Sequence, residues 1–178
     1  MLASGRLRYG YALFAVLFPV FVLSASNVAS LEMVVKPYLQ YPTQTTMVVR
    51  WETDAPASSE AACGPAVARL EWVSGEGGTV YHEVKFESLT PGMGYFYQVR
   101  SRGEDGAVVE SEIYTFQTAV PETTPFSFVV FCDTQARPEV LSRLVELAWG
   151  QRPQFTLLGG ALVSEGPEKD HWTEHSFP

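Results

Sequence analysis

The stretch Leu89-Thr90-Pro91-Gly92-Met93-Gly94-Tyr95-Phe96-Tyr97-Gln98-Val99 decides how the chain folds. Pro91 and Gly92 form a turn, because proline presets one backbone angle and glycine accepts angles that other residues avoid. Tyr95 then opens a strand in which Tyr95, Tyr97 and Val99 share one face while Phe96, Gln98 and Arg100 share the other. Such a period of two marks a strand with one buried face. A tyrosine placed just after the corner can return its hydroxyl to the backbone of the loop that precedes it.

The same alternation extends outward on both sides. Residues 46–53 (TMVVRWET) put Met47, Val49 and Trp51 on one face and Val48, Arg50 and Glu52 on the other. Ala68, Leu70 and Trp72 alternate with Arg69 and Glu71. Val80, Val84 and Phe86 alternate with Tyr81, Glu83 and Lys85, and Tyr114, Phe116 and Thr118 with Thr115 and Gln117. Glycine-rich turns at residues 75–78 and 103–106 separate them. Several short strands in about 90 residues, with no long helical pattern, predict an immunoglobulin-like sandwich. His82 is a lone histidine on one of these strands, which predicts a structural or solvated role rather than ligation. The aromatic residues sit at alternating positions and are read as core.

The composition sets limits. Of 178 residues, 46% are hydrophobic and 18% charged, which is the balance of a folded chain. Twenty acidic residues against 12 basic give a net charge of −8, and that excludes a nucleic-acid binder in need of a basic face. Arg6 and Arg8 precede an apolar run from Tyr11 to Leu23, and small residues follow at Ser24, Ala25, Ser26, Ala29 and Ser30. This order is that of a secretory signal over residues 1–30, placing the chain outside the cell or in the periplasm. An uncleaved anchor is the alternative, and only then is a membrane contact expected. The two cysteines, Cys63 and Cys132, are read as buried thiols rather than a disulfide.

Trp51 and the tyrosine corner together resemble a fibronectin type III domain. The opening Val35-Lys36-Pro37-Tyr38-Leu39-Gln40, followed by Met47-Val48-Val49-Arg50-Trp51, is similar to the N-terminal domain that precedes the catalytic domain in purple acid phosphatases. That resemblance spans nearly all of residues 33–118, within a sandwich assigned to residues 31–120.

After a linker at residues 121–125 the pattern changes. Phe126 to Phe131 (FSFVVF) is an unbroken apolar run, as expected of a strand covered on both faces. Pro138 opens a helix with an apolar stripe at Val140, Leu141, Leu144, Val145 and Ala148, which Arg152-Pro153 ends. Phe155 to Leu158, with Ala161, Leu162 and Val163, predicts a second strand, so residues 126–178 read as an incomplete βαβ unit with parallel strands. An acidic residue at the carboxyl end of the first strand lies where such folds place ligands.

Phe128-Val129-Val130-Phe131-Cys132-Asp133-Thr134-Gln135 resembles the first metal motif of calcineurin-like metallophosphoesterases, and residues 157–166 (LLGGALVSEG) resemble the second. Purple acid phosphatases belong to that superfamily. The resemblance implies a pair of divalent metals of the Fe, Zn or Mn type, about 3.5–4 Å apart, clamping a phosphate ester. It puts Asp133 at the first metal and Gln135 where many relatives have histidine. The bridging carboxylate falls on Ala161, which has no oxygen to offer. Cys132 replaces the usual glycine. Asp133 and Gln135 alone cannot hold a hard divalent pair.

Three readings follow. The first is a truncated, degenerate metallophosphoesterase that has lost catalysis and the metal pair. The second is an exported sandwich whose loops contact protein or glycan. The third is a fragment of a longer gene product. Residues 125–178 are expected to be loosely packed, because two parallel strands and one helix bury little surface. His171-Trp172-Thr173-Glu174-His175 also spells an inverted zinc-protease pattern, which is read as a chance match without a third ligand.

Overall fold

A computed structural model describes residues 30–134, 137–169 and 172. The predicted export segment therefore lies outside the described residues, as do Gln135 and the histidines of the H-x-x-E-H pattern. Among the described residues no helix is long and apolar enough to cross a membrane.

Eight strands build two facing antiparallel sheets. The first contains β1 (Met33–Gln40), β2 (Met47–Ala57) and β5 (Thr79–Phe86) in the order β1-β2-β5. The second runs β4-β3-β6-β7, from β3 (Glu60–Gly64), β4 (Glu71–Ser74), β6 (Gly94–Arg102) and β7 (Val108–Glu110). A further strand, β8 (Tyr114–Gln117), pairs with the first half of β6. The alternation read from the sequence holds in β5, β6 and β8, and in β2 apart from Val48, which is also buried, whereas β4 is exposed along its whole length. Met47, Val49, Trp51, Val84 and Phe86 enter the core from the first sheet, and Ala61, Cys63, Tyr95, Tyr97, Val99 and Phe116 enter it from the second. This is a β-sandwich with one apolar core between its sheets.

The corner at residues 90–95 forms as expected. The Thr90 N–H donates to the Tyr95 hydroxyl at 2.9 Å, and Gly92 turns the chain with φ +69°. The Trp51 indole N–H crosses the core to Ser101 Oγ at 2.9 Å, so the largest core side chain leaves no polar atom unpaired. Pro37 is tolerated in β1 because that strand lies at a sheet edge.

Two readings are corrected within the sandwich. Ala68 is not in a strand: residues Val67–Arg69 form a 3-10 turn, and β4 begins at Glu71. The tight approach of Gly64 to this turn demands it, since a Cβ on Gly64 would lie 1.9 Å from the Arg69 carbonyl oxygen. The central strand β3 (EAACG) escaped the sequence reading. It is buried on both faces at Ala61, Ala62 and Cys63, so it carries no alternation.

Beyond the sandwich, β9 (Phe128–Phe131) and β10 (Phe155–Leu158) pair in parallel, joined through α1 (Pro138–Gly150). Strand, helix and parallel strand occur in the predicted order, with Pro138 in the first turn of the helix. Here too the structure corrects the reading. The apolar run of β9 is not covered on both faces: Phe128 and Val130 are about half exposed. No residue of α1 is buried, and its stripe at Val140, Leu144 and Val145 faces outward from any core. A two-stranded sheet is too narrow to cover these side chains. The second strand also stops at Leu158, because Gly159-Gly160 and the positive φ of Ala161 (48°) break extended geometry.

Candidate functional site

The carboxyl ends of β9 and β10 lie side by side, as parallel pairing dictates. Past those ends the two chains remain tied. Gly159 N–H donates to the Phe131 carbonyl at 2.7 Å, and Asp133 N–H donates to the Gly160 carbonyl at 3.1 Å. Asp133 takes φ 57° and Ala161 φ 48°, both in the left-handed region that non-glycine residues occupy at a cost. The two stretches that resemble metal motifs are thus brought to one place by backbone hydrogen bonds.

Asp133 is exposed and lines a cleft of about 470 Å³ together with Cys132, Thr134, Arg137, Val140, Leu141 and Leu144. Gln135 lies outside the described residues, so its side chain adds nothing to this account. Cys132 is an exposed free thiol, which corrects the expectation of a buried one. It is exposed because it lies beyond the end of β9. Cys63 is buried as expected, and burial pushes its thiol up to about 12. Sequence reading missed Arg137, whose signal was its place one residue before the helix-opening proline.

The described residues do not by themselves fit a two-metal centre. Among the described residues lining the cleft Asp133 is the one carboxylate, and Ala161, the position to which the resemblance gives the bridging carboxylate, carries a methyl group. Arg137 lines the same cleft, and a cationic residue there opposes a divalent cation. Among the described residues, no three or more histidine, cysteine, aspartate or glutamate side chains gather closely enough to hold a metal ion.

The segment after this cleft returns to the sandwich. Lys169 Nζ lies 2.9 Å from Glu52 Oε2 and 4.9 Å from the centre of the Tyr81 ring. Both partners sit on the outer face of the β1-β2-β5 sheet. This contact raises the Lys169 pKa, chiefly through the hydrogen bond with Glu52.

Fold and core define a β-sandwich of the immunoglobulin and fibronectin type III class. Residues 34–118 match the family described as Purple acid Phosphatase, N-terminal domain, and the sandwich is a domain of that type. The match ends ahead of β9 and speaks for the sandwich alone.

Similar solved structures include the purple acid phosphatase PPD1 from yellow lupin (Lupinus luteus) seeds, at 19% identity and a TM-score of 0.47. The likeness covers 56% of this chain and 22% of the lupin chain, so the chain spans about a fifth of that relative's length. The fibronectin type III domain of human fibronectin type III domain containing protein 3 is similar at 16% identity and a TM-score of 0.42, covering 56% of this chain and 95% of that one. A myokine structure is similar at 19% identity and a TM-score of 0.42, covering 48% of this chain and 94% of the other. No curated protein matches the chain.

Proposed function

We propose that this chain descends from metal-dependent phosphate monoester hydrolases and does not itself hydrolyse phosphate esters. The carrying observation is the pair Asp133 and Ala161. The backbone is held by the Asp133–Gly160 hydrogen bond so that two motif positions adjoin, and one of the two is a methyl group. Phosphoryl transfer of this class needs charge neutralised at both the attacking and leaving oxygens, and a lone carboxylate beside an arginine does not provide that. In this reading residues 1–30 direct export, 31–120 form the sandwich, 121–125 link, and 126–178 carry the remnant of the catalytic fold, with Asp133 and Gln135 as its residual ligand positions.

The test is turnover of a generic aryl phosphate by the 178-residue chain supplied with Fe, Zn or Mn. The expected result is no hydrolysis above the metal-only background. Metal-dependent turnover abolished by Asp133→Asn would refute the proposal.

A second reading, an exported module that contacts protein or glycan, draws on one feature of the sandwich. Trp72 is 42% exposed on β4, with the Arg100 guanidinium 4.1 Å from its ring and Glu60 paired to the same arginine. Glycan-array binding lost in Trp72→Ala would favour this module, whereas an unchanged Trp72→Ala profile would dismiss it.

A further inference from the structure

The core holds one histidine, His82, which is 2% exposed and stacked on Trp51 with ring centres 5.0 Å apart. Its two ring nitrogens each meet a hydroxyl: Nδ1 lies 2.8 Å from Ser59 Oγ and Nε2 2.8 Å from Thr53 Oγ1. Each hydroxyl also has a backbone acceptor. Ser59 donates to the Glu76 carbonyl in a very short contact, and Thr53 donates to the Ala55 carbonyl at 2.7 Å. The chain Glu76–Ser59–His82–Thr53–Ala55 thus contains four links.

A neutral imidazole brings one proton and each hydroxyl brings one, so three protons serve four links. One link is therefore unmade while His82 is neutral. With the serine proton assigned to the Glu76 carbonyl, Ser59 can only accept from the ring. Nδ1 must then be the protonated nitrogen, donating to Ser59. That leaves Nε2 as an acceptor, competing with the Ala55 carbonyl for the single proton of Thr53. A second imidazole proton, arriving at Nε2, would donate to Thr53 and free the threonine proton for Ala55, completing all four links.

We propose that Ser59, His82 and Thr53 form a proton-operated latch, in which protonation of His82 at Nε2 secures the Thr53–Ala55 end of β2 without unfolding the sandwich. No charged side chain sets this response. On β2, Trp51 and Thr53 meet the ring, while Glu52 turns outward to Lys169. On β5, Tyr81 and Glu83 alternate to the exposed face. Glu60, next to Ser59, is held by Arg100 and Ser58, and Glu76 contributes its backbone carbonyl to the network. Burial opposes the charge and delays its arrival to acid pH; the fourth hydrogen bond works in the other direction.

The test uses long-range proton–nitrogen NMR spectra of the full chain, with His82 assigned by comparison with His82→Gln. At pH 7 the imidazole is expected to carry its proton on Nδ1. On acidification the ring should take its second proton in the folded state, and the amides of residues 54–57 should shift with the same midpoint. Thr53→Val keeps the shape but removes the acceptor for Nε2, so its His82 should bind the second proton about tenfold more weakly. A purely structural threonine would change the melting temperature and leave that midpoint alone. A neutral ring protonated on Nε2, an unchanged midpoint in Thr53→Val, or unfolding before the ring titrates would each overturn the proposal.

Discussion

At the residue scale, single atoms decide the outcome at three positions. Tyr95→Phe deletes the oxygen that accepts the Thr90 N–H, leaving a part-buried donor unpaired. The expected loss is about 1–3 kcal/mol, read as a lower urea midpoint with the slope unchanged. Gly64→Ala should cost more than the tyrosine change, because its methyl meets the Arg69 backbone at 1.9 Å and no flexible side chain can yield. A Gly64→Ala protein with an unchanged melting temperature would show that the 3-10 turn can move aside. Ala161→Asp sets a second carboxylate beside Asp133. We expect tighter Mn binding than in the parent by calorimetry, since anionic oxygens draw hard cations; equal affinity would mean that the two loops do not converge in solution.

At the element scale, β5 and the β9–α1–β10 unit respond in opposite ways to burial. Burial lowers the His82 pKa from 6.5 to about 4. Below pH 6.5 the unfolded chain takes up the proton first, so stability is full above that value and falls as pH drops toward 4. The difference corresponds to about 3 kcal/mol. Urea midpoints at pH 7 and pH 4.5 should therefore differ more in the parent than in His82→Gln; equal differences would remove His82 from the acid response. In β9 nothing comparable is buried. We expect the amides of Val129–Phe131 to exchange with solvent orders of magnitude faster than that of Val99, which lies in the centre of the second sheet with its side chain fully buried. Protection of Val129–Phe131 equal to that of Val99 would contradict the exposure of the strand.

At the scale of the whole molecule, a well-packed sandwich is joined to a βαβ unit that has little core of its own. Lys169, paired with Glu52 and lying over Tyr81, ties the two together, and a single ion pair of this kind contributes little. Limited proteolysis should cut first beyond residue 120 and release a fragment near residues 31–120. First cleavage within β2 or β6 would show that the sandwich is the weaker part.

The sequence by itself determined the sandwich. Alternating strands such as β2 and β6 declare their buried face in every second residue, and Pro91-Gly92 with Tyr95 declares the corner, because these signals depend on near neighbours in the chain. It also offered two stretches that resemble metal motifs, with Asp133 and Ala161 at their expected ligand positions. Features without a local signature emerge only from packing in three dimensions. The uniformly buried β3 shows no alternation. The exposure of Cys132 and of the α1 stripe depends on how much surface the neighbouring strands can cover. The Ser59–His82–Thr53 relay joins β2, β5 and the connection between β2 and β3, because hydrogen bonds between side chains are set by distance in space rather than by spacing along the chain.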